Sequence, residues 1–238
     1  MLCNGEGYVN RRSVKFGMIA VFASLHAVLY FLSFGLWRNW AIYLEPIEAI
    51  ILGPYAGFSA ALMGSVIARI FKPTDLWMFG IIAEPLAVLI CGLIVKGEWK
   101  TAFLLYTTML TAFFTNSLGK TLPLWTILDI LSSFGLLYPT AKIGSKIYVK
   151  NIKQSYIPLI LTSFTCTATD SLTRIFLFIP AGLYTLFNFS FDKVRWIFMA
   201  GAVDSYIEDI LVVITSILIG IPLLNALRKF NRIKLPIT

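Results

Sequence analysis

Apolar residues fill this chain in long runs, and the polar positions inside those runs are few and mostly acidic. Eight apolar segments stand out, at about 14–36, 41–52, 55–71, 77–95, 101–118, 122–141, 155–182 and 195–226. A helix that crosses a bilayer needs about 20 such residues. The pattern therefore predicts an all-α, polytopic membrane protein, a helix bundle of six to eight transmembrane segments. It forms a single membrane domain over 1–238, with short tails at 1–13 and 227–238. The second segment is short for a crossing, and the last two are long enough to tilt or protrude. The second and third meet at Gly53-Pro54. Proline cannot donate to a helical ladder and restricts the residue before it, which predicts a break or tight reversal. One kinked helix from 41 to 71 is the competing expectation.

Composition agrees. The chain is 58% hydrophobic and 13% charged, against about 25% charged in an ordinary soluble domain. The net charge of +8 does not mark a nucleic-acid binder, because the basic residues flank the apolar runs as the positive-inside rule requires. With the N-terminus inside, eight passes put Arg11, Arg12, Lys15, Lys96, Lys100, Lys142, Lys146, Lys150, Lys153, Arg228, Lys229, Arg232 and Lys234 in the cytoplasm. Only Arg38, Arg69, Lys72, Lys120, Lys193 and Arg195 fall outside. Seven passes would force a basic loop or the basic tail outward, so both termini are expected in the cytoplasm of a cell-membrane protein.

The acids are the informative residues. Glu45, Glu48, Glu84, Asp129, Asp170, Asp204, Glu208 and Asp209 all lie within hydrophobic runs, and Arg174 stands as the clear cation among them. A carboxylate at the bilayer centre costs roughly 2.5–3.5 kcal/mol on insertion scales, so such residues face a cavity or a partner. In the eight-pass arrangement, counted at about 1.5 Å per residue, these acids and Asn116 gather at the midplane and in the outer half. An acid-rich chamber opening outward is expected.

Asp170 and Arg174 are spaced i, i+4 and share a helix face, so they pair directly or contact a ligand. The surrounding TSFTCTATDSLTR carries hydroxyls whose default partner is the carbonyl one turn back. Asp204 and Glu208 also share a face and can bind a cation, carry a proton or answer Arg174; Asp209 falls off that face. EPIEAIILG and EPLAVLICG, at 45–53 and 84–92, align without gaps and hint at a repeat. Glu84, seven residues into its run, is the leading candidate acid. Trp37, Trp40, Trp77, Trp125 and Trp196 sit near span ends as an aromatic belt, and Trp40 or Trp77 could stack on a ring-shaped ligand. His26 lies mid-span with no ligand partner at metal spacing, which fits a packed or hydrogen-bonded histidine. Cys91 and Cys166 lie in apolar runs, where a reduced buried thiol is the default.

Phosphate-binding loops and ATPase motifs are absent, so ATP-driven work would come from another chain. The serine, metalloprotease and paired-aspartate motifs of intramembrane enzymes are missing too. The expectation is a protein that is not an enzyme, with no cofactor and no metal.

The segment EAIILGPYAGFSAALMGSVIARIF at 48–71, after a first span containing Ala23-Ser24-Leu25-His26-Ala27, resembles the substrate-binding S components of energy-coupling factor (ECF) transporters. These small, nearly all-membrane proteins carry a GP-x-x-G turn between early helices and an Ala-xxx-Ala face on the first. The resemblance implies that Ala23 and Ala27 dock on a transmembrane coupling subunit driven by two ATPases. It also implies that Glu84 matches the glutamate lining the pocket of thiamine-binding members. The family has six helices, fewer than the segments read here, so pocket residues beyond 95 are not carried over. The expected function is a substrate-binding membrane subunit for uptake of a small vitamin-like molecule, cationic or rich in hydrogen-bond donors. Its expected site is Glu84, Asp129, Asp170, Arg174, Asp204, Glu208, Asn116 and Trp40. A self-sufficient proton-coupled transporter is the alternative, and an intramembrane enzyme the second alternative.

Overall fold

The structure is a computed structural model that describes residues 11–32, 39–73, 77–149, 152–229 and 235–236. The N-terminal tail with Cys3, the Trp37–Arg38 stretch, Lys150 and most of the basic C-terminal tail lie outside the described residues, as does the Trp77 side chain. Among the described residues every regular element is helical: α1 (Arg11–Phe31), α2 (Glu45–Leu52), α3 (Pro54–Phe71), α4 (Trp77–Val95), α5 (Trp99–Thr115), α6 (Leu128–Gly144), α7 (Ile152–Phe178), α8 (Phe191–Thr215) and α9 (Ile221–Lys229). A 3-10 turn, Trp40–Tyr43, leads into α2, and a π-helical turn, Ser216–Gly220, joins α8 to α9. Among the described residues, five stretches are long and apolar enough to cross a membrane: Arg12–Phe31, Pro54–Phe71, Met78–Val95, Leu124–Tyr148 and Phe191–Lys229. The expected all-α bundle is present, and each of the eight apolar segments maps onto a helix.

The molecule is built with charge inside and hydrocarbon outside. Glu45, Glu48, Glu84, Asp129, Asp170, Glu208 and Asp209 are buried, whereas Phe16, Phe71, Ile70 and Trp196 are 67–75% exposed. A soluble protein does the opposite. Lipid contact explains it: exposed apolar side chains cost nothing there, while ionisable ones must turn into the bundle.

The Gly53-Pro54 junction is a reversal, not a kink. A continuous helix would hold Glu48 and Gly57 about 13 Å apart. Instead, a Cβ on Gly57 would lie 3.4 Å from the Glu48 carbonyl oxygen and 3.5 Å from Ala49 Cα. Gly53 caps α2 at φ 78°, a conformation that favours glycine, and Pro54 opens α3 where its missing N–H is harmless. The eight residues of α2 span roughly 12 Å, less than the about 30 Å hydrocarbon core. From this turn α3 and α4 run antiparallel: Gly92 abuts Pro54, Gly57 abuts Val88, and Gly80 abuts Arg69.

Close approach by α1 completes this half of the bundle. A Cβ on Gly64 would sit 2.7 Å from His26 Cβ and 2.8 Å from the Ala23 carbonyl oxygen. Ala23 and Ala27 are consequently buried, at 3% and 8% exposure. The small-residue face expected to dock on a partner subunit is occupied by the chain's own α3, because small side chains let two backbones meet within lipid.

α7 runs through the interior. Its Thr162, Ser163, Thr165, Thr167, Thr169, Ser171 and Thr173 are all buried. Thr165, Thr169 and Thr173 donate to the carbonyls of Leu161, Thr165 and Thr169 at 2.7–2.8 Å, the back-bonding expected of membrane hydroxyls.

Candidate functional site: an ionic centre around Glu84

Glu84 sits near the middle of α4 and is almost wholly buried. Its carboxylate gathers donors from five residues on four parts of the chain. Arg69 on α3 sets both terminal nitrogens on it, Nη1 at 3.0 Å from Oε2 and Nη2 at 2.5 Å from Oε1. Ser65, one turn earlier on α3, donates its hydroxyl to Oε2. His26 Nε2 on α1 lies 3.2 Å from Oε2. Asn39 Nδ2 reaches Oε1 at 3.3 Å, and Arg174 Nη2 on α7 reaches it at 3.2 Å. Six donors meet a carboxylate with about four lone-pair positions, so Glu84 is saturated as an anion.

The centre extends in two directions. His26 Nδ1 lies 3.2 Å from Glu48 Oε2 on α2, so the imidazole bridges two glutamates. Arg174 Nε donates to Asp170 Oδ2 at 2.7 Å, the i, i+4 pairing read from the sequence, while its Nη2 crosses to α4. Glu45, three residues before Glu48 on α2, is buried as well. Tyr30 covers Arg69, whose guanidinium carbon is 4.6 Å from the ring centroid; such a contact adds about 0.5–2 kcal/mol.

Local sequence explains the assembly. Gly80 lies one turn before Glu84 on the same face of α4, and a Cβ there would overlap the Arg69 guanidinium. Glycine at 80 is what lets Arg69 reach across. Pro85 follows Glu84 inside α4, and its missing N–H frees the carbonyl of Ile81 from the helical ladder. Ile81 lines a cleft of about 420 Å³ together with Val66, Arg69, Ile70 and Pro73. Arg69 thus forms part of the cleft wall and at the same time holds Glu84.

The expected site residues divide between places. Glu84, Asp170 and Arg174 come together in this centre. Asp129 belongs to a second cluster, where its Oδ2 accepts from Ser205 at 3.0 Å and Ser205 meets Ser171 at 2.9 Å. On α8, Asp204 is half-buried while Glu208 and Asp209 are both buried, so the inward face there is wider than the i, i+4 spacing suggested. Arg174 is answered by Asp170 and Glu84, where an answer from α8 was one of the expectations. Asn116 caps α5; its side-chain oxygen accepts from the backbone N–H groups of Leu118 and Gly119 at 2.9 and 3.3 Å, a turn-forming use. Trp40 is 40% exposed and meets Tyr43 edge to face. Cys91 and Cys166 are buried free thiols.

Arg69 is the main correction. Its place near a span end, three residues before Lys72, assigned it to the outer border, but it is 6% exposed and paired with Glu84. His26, Ser65, Asn39 and Glu48 are the other members that the sequence reading did not place at the site. His26 was expected to be hydrogen-bonded, and its bonds are to carboxylates. Among the described residues, no group of three or more His, Cys, Asp and Glu side chains is arranged to hold a metal ion.

No family model matches the chain, and no solved structure matches it. It is similar to the uncharacterized protein MJ0923 of Methanocaldococcus jannaschii, with 24% identity over 131 residues. That stretch covers 54% of this chain and 44% of the relative, so the match spans less than half the length of that protein.

Proposed function

We propose that this chain is a membrane transport protein that binds a small cationic or donor-rich solute at the Glu84 centre. The observation that carries the reading is a cluster of buried ionisable groups beside a cleft. Glu45, Glu48, Glu84 and Asp170 are buried with His26 and Arg69 and beside the half-buried Arg174, and Arg69 also lines the cleft. Ionisable groups buried within a membrane bundle mark ion and solute pathways.

In its finer form the proposal is a substrate-binding subunit for uptake, handing its solute across the membrane with an ATP-driven coupling complex. The resemblance of 48–71 to S components supports this form. Ala23 and Ala27, the docking residues that the resemblance implies, are buried, so this form calls for a coupling subunit that meets a neighbouring surface of the bundle. The self-powered alternative draws support from His26, which bridges Glu48 and Glu84 and so offers a place for a proton.

Both termini in the cytoplasm, and the cleft toward the outside, complete the proposal. Reporter fusions after Lys153 and after Lys234 then read cytoplasmic, and a fusion after Lys193 reads external; opposite readings for the first two overturn this arrangement. A thermal-shift screen of the purified protein against small organic cations and anions tests the solute class. Stabilisation by cations supports the reading, and stabilisation by anions alone contradicts it. Uptake by the chain alone in proteoliposomes under a pH gradient selects the self-powered form, and co-purification with an ATPase selects the subunit form.

A further inference from the structure

His26 is the chain's single histidine, and it is fully buried with a carboxylate facing each ring nitrogen. A protonated imidazole offers two N–H donors, which suits this setting. A neutral ring offers one donor and one lone pair, and a lone pair turned toward a carboxylate oxygen is repelled. The ring therefore needs an alternative donor if it is ever to lose its proton.

α3 supplies that donor. Ser65 Oγ lies 3.2 Å from His26 Nε2 and also within hydrogen-bonding reach of Glu84 Oε2. A hydroxyl has one proton and rotates to suit its partner, so two complete arrangements exist. In the first, the imidazolium donates from Nδ1 to Glu48 and from Nε2 to Glu84, and Ser65 donates to Glu84. In the second, the Nε2–H bond has broken and the proton has passed to water, leaving the electron pair on Nε2. The ring keeps its Nδ1–H bond to Glu48, and Ser65 turns to donate to Nε2.

Glu84 accommodates both arrangements. In the second it loses two donors and keeps four, two from Arg69 and one each from Arg174 and Asn39. Four donors match the about four lone-pair positions of a carboxylate. The apparent excess around Glu84 in the first arrangement is what makes the second one affordable.

The charges facing this unit come from every element packed against it: Glu45 and Glu48 on α2, Arg69 on α3, Glu84 on α4, and Asp170 and Arg174 on α7. Along the chain of ion pairs, Glu48, Glu84 and Asp170 balance Arg69, Arg174 and a protonated His26. Loss of the ring proton leaves these pairs with one surplus negative charge. We propose that His26 is a proton-binding switch, with Ser65 as its rotor, whose occupancy sets whether the Glu84 centre carries that surplus. The inference rests on the solute-binding reading for its use, since a surplus negative charge is what a cationic solute would meet. The switch itself stands or falls without any solute.

A single histidine makes the test direct. The full-length chain, purified with a histidine-free tag and labelled with 15N-histidine in lipid nanodiscs, reports both ring nitrogens of His26 by NMR. Titrated from about pH 5, below the ordinary histidine value, to about pH 11, well above it, the wild type passes from two N–H signals to one N–H on Nδ1 with a bare Nε2. Ser65→Ala removes the donor to the bare nitrogen and holds the doubly protonated form to a pH higher by about one unit or more. Ser65→Thr restores the wild-type course. A ring that keeps one form across the whole range, a neutral form protonated on Nε2, or a Ser65→Ala profile matching the wild type would each overturn the switch. Solute binding is read separately by the effect of Glu84→Gln on affinity, so loss of one reading does not carry the other with it.

Discussion

Arg69 holds Glu84 end-on, with both terminal guanidinium nitrogens on the two carboxylate oxygens at 3.0 and 2.5 Å. The two residues are fifteen positions apart and belong to antiparallel helices, so the α3–α4 hairpin exists in a form that brings these charges together. A bidentate guanidinium–carboxylate pair adds geometry as well as energy. Here it also fixes the wall of the cleft.

Removing one partner tests the pair. Arg69→Met keeps the length of the side chain and leaves Glu84 short of a counter-charge, which costs about 3–5 kcal/mol for a buried pair broken from one side. Adding Glu84→Gln to the same protein returns much of that loss. A double-mutant cycle by reversible unfolding in mixed micelles measures it. Additive effects, with no coupling between the two changes, contradict the assigned geometry.

Gly80 is a steric test of the same contact. Gly80→Ala puts a methyl group where the Arg69 guanidinium lies and is expected to destabilise by about 1–3 kcal/mol, as overpacking does. Gly135→Ala on α6 has nothing within 4 Å of the new methyl group and is expected to be neutral, or stabilising by up to about 1 kcal/mol. Thermal unfolding of the two variants side by side decides the matter, and equal behaviour contradicts the close approach.

Ala23 separates internal packing from docking. Its face meets α3 at Gly64, so Ala23→Leu forces α1 and α3 apart and lowers folded yield and stability by about 1–3 kcal/mol. A variant that folds and binds normally yet fails to transport would return this face to a docking role.

What the sequence shows and what it hides follow from the range of the interactions. Helix positions were legible because each apolar run carries its own length signal, and the reversal at Gly53-Pro54 because proline and glycine act locally. The Asp170–Arg174 pair was legible at i, i+4, and so was the back-bonding of Thr165 and Thr169. Glu84 stood out as an acid deep in an apolar run. Arg69 did not, because a cation near a span end beside Lys72 has the same pattern whether it turns toward headgroups or inward. His26 pairs with residues 22 and 58 positions away, and no periodicity encodes such distances. Asn116 shows the converse: a polar residue at a span end suggested a pocket, but its oxygen caps the backbone. The matched glutamates of the aligned 45–53 and 84–92 stretches also part company, since Glu45 opens an eight-residue helix and Glu84 lies inside a nineteen-residue one.

The most direct test of the account is the affinity of the Glu84→Gln variant for the organic cation that most stabilises the wild type, measured by calorimetry in detergent or nanodiscs. Glutamine keeps the shape and removes one negative charge from the centre, so the account predicts binding weaker by tenfold to a hundredfold, about 1.4–2.7 kcal/mol. Thermal unfolding of the unliganded variant, run alongside, confirms that it is folded. Affinity unchanged in a folded Glu84→Gln protein, or a wild type that prefers a dianion, would contradict the claim that Glu84 is the centre of a cation-binding site and would move the anchor to Arg174.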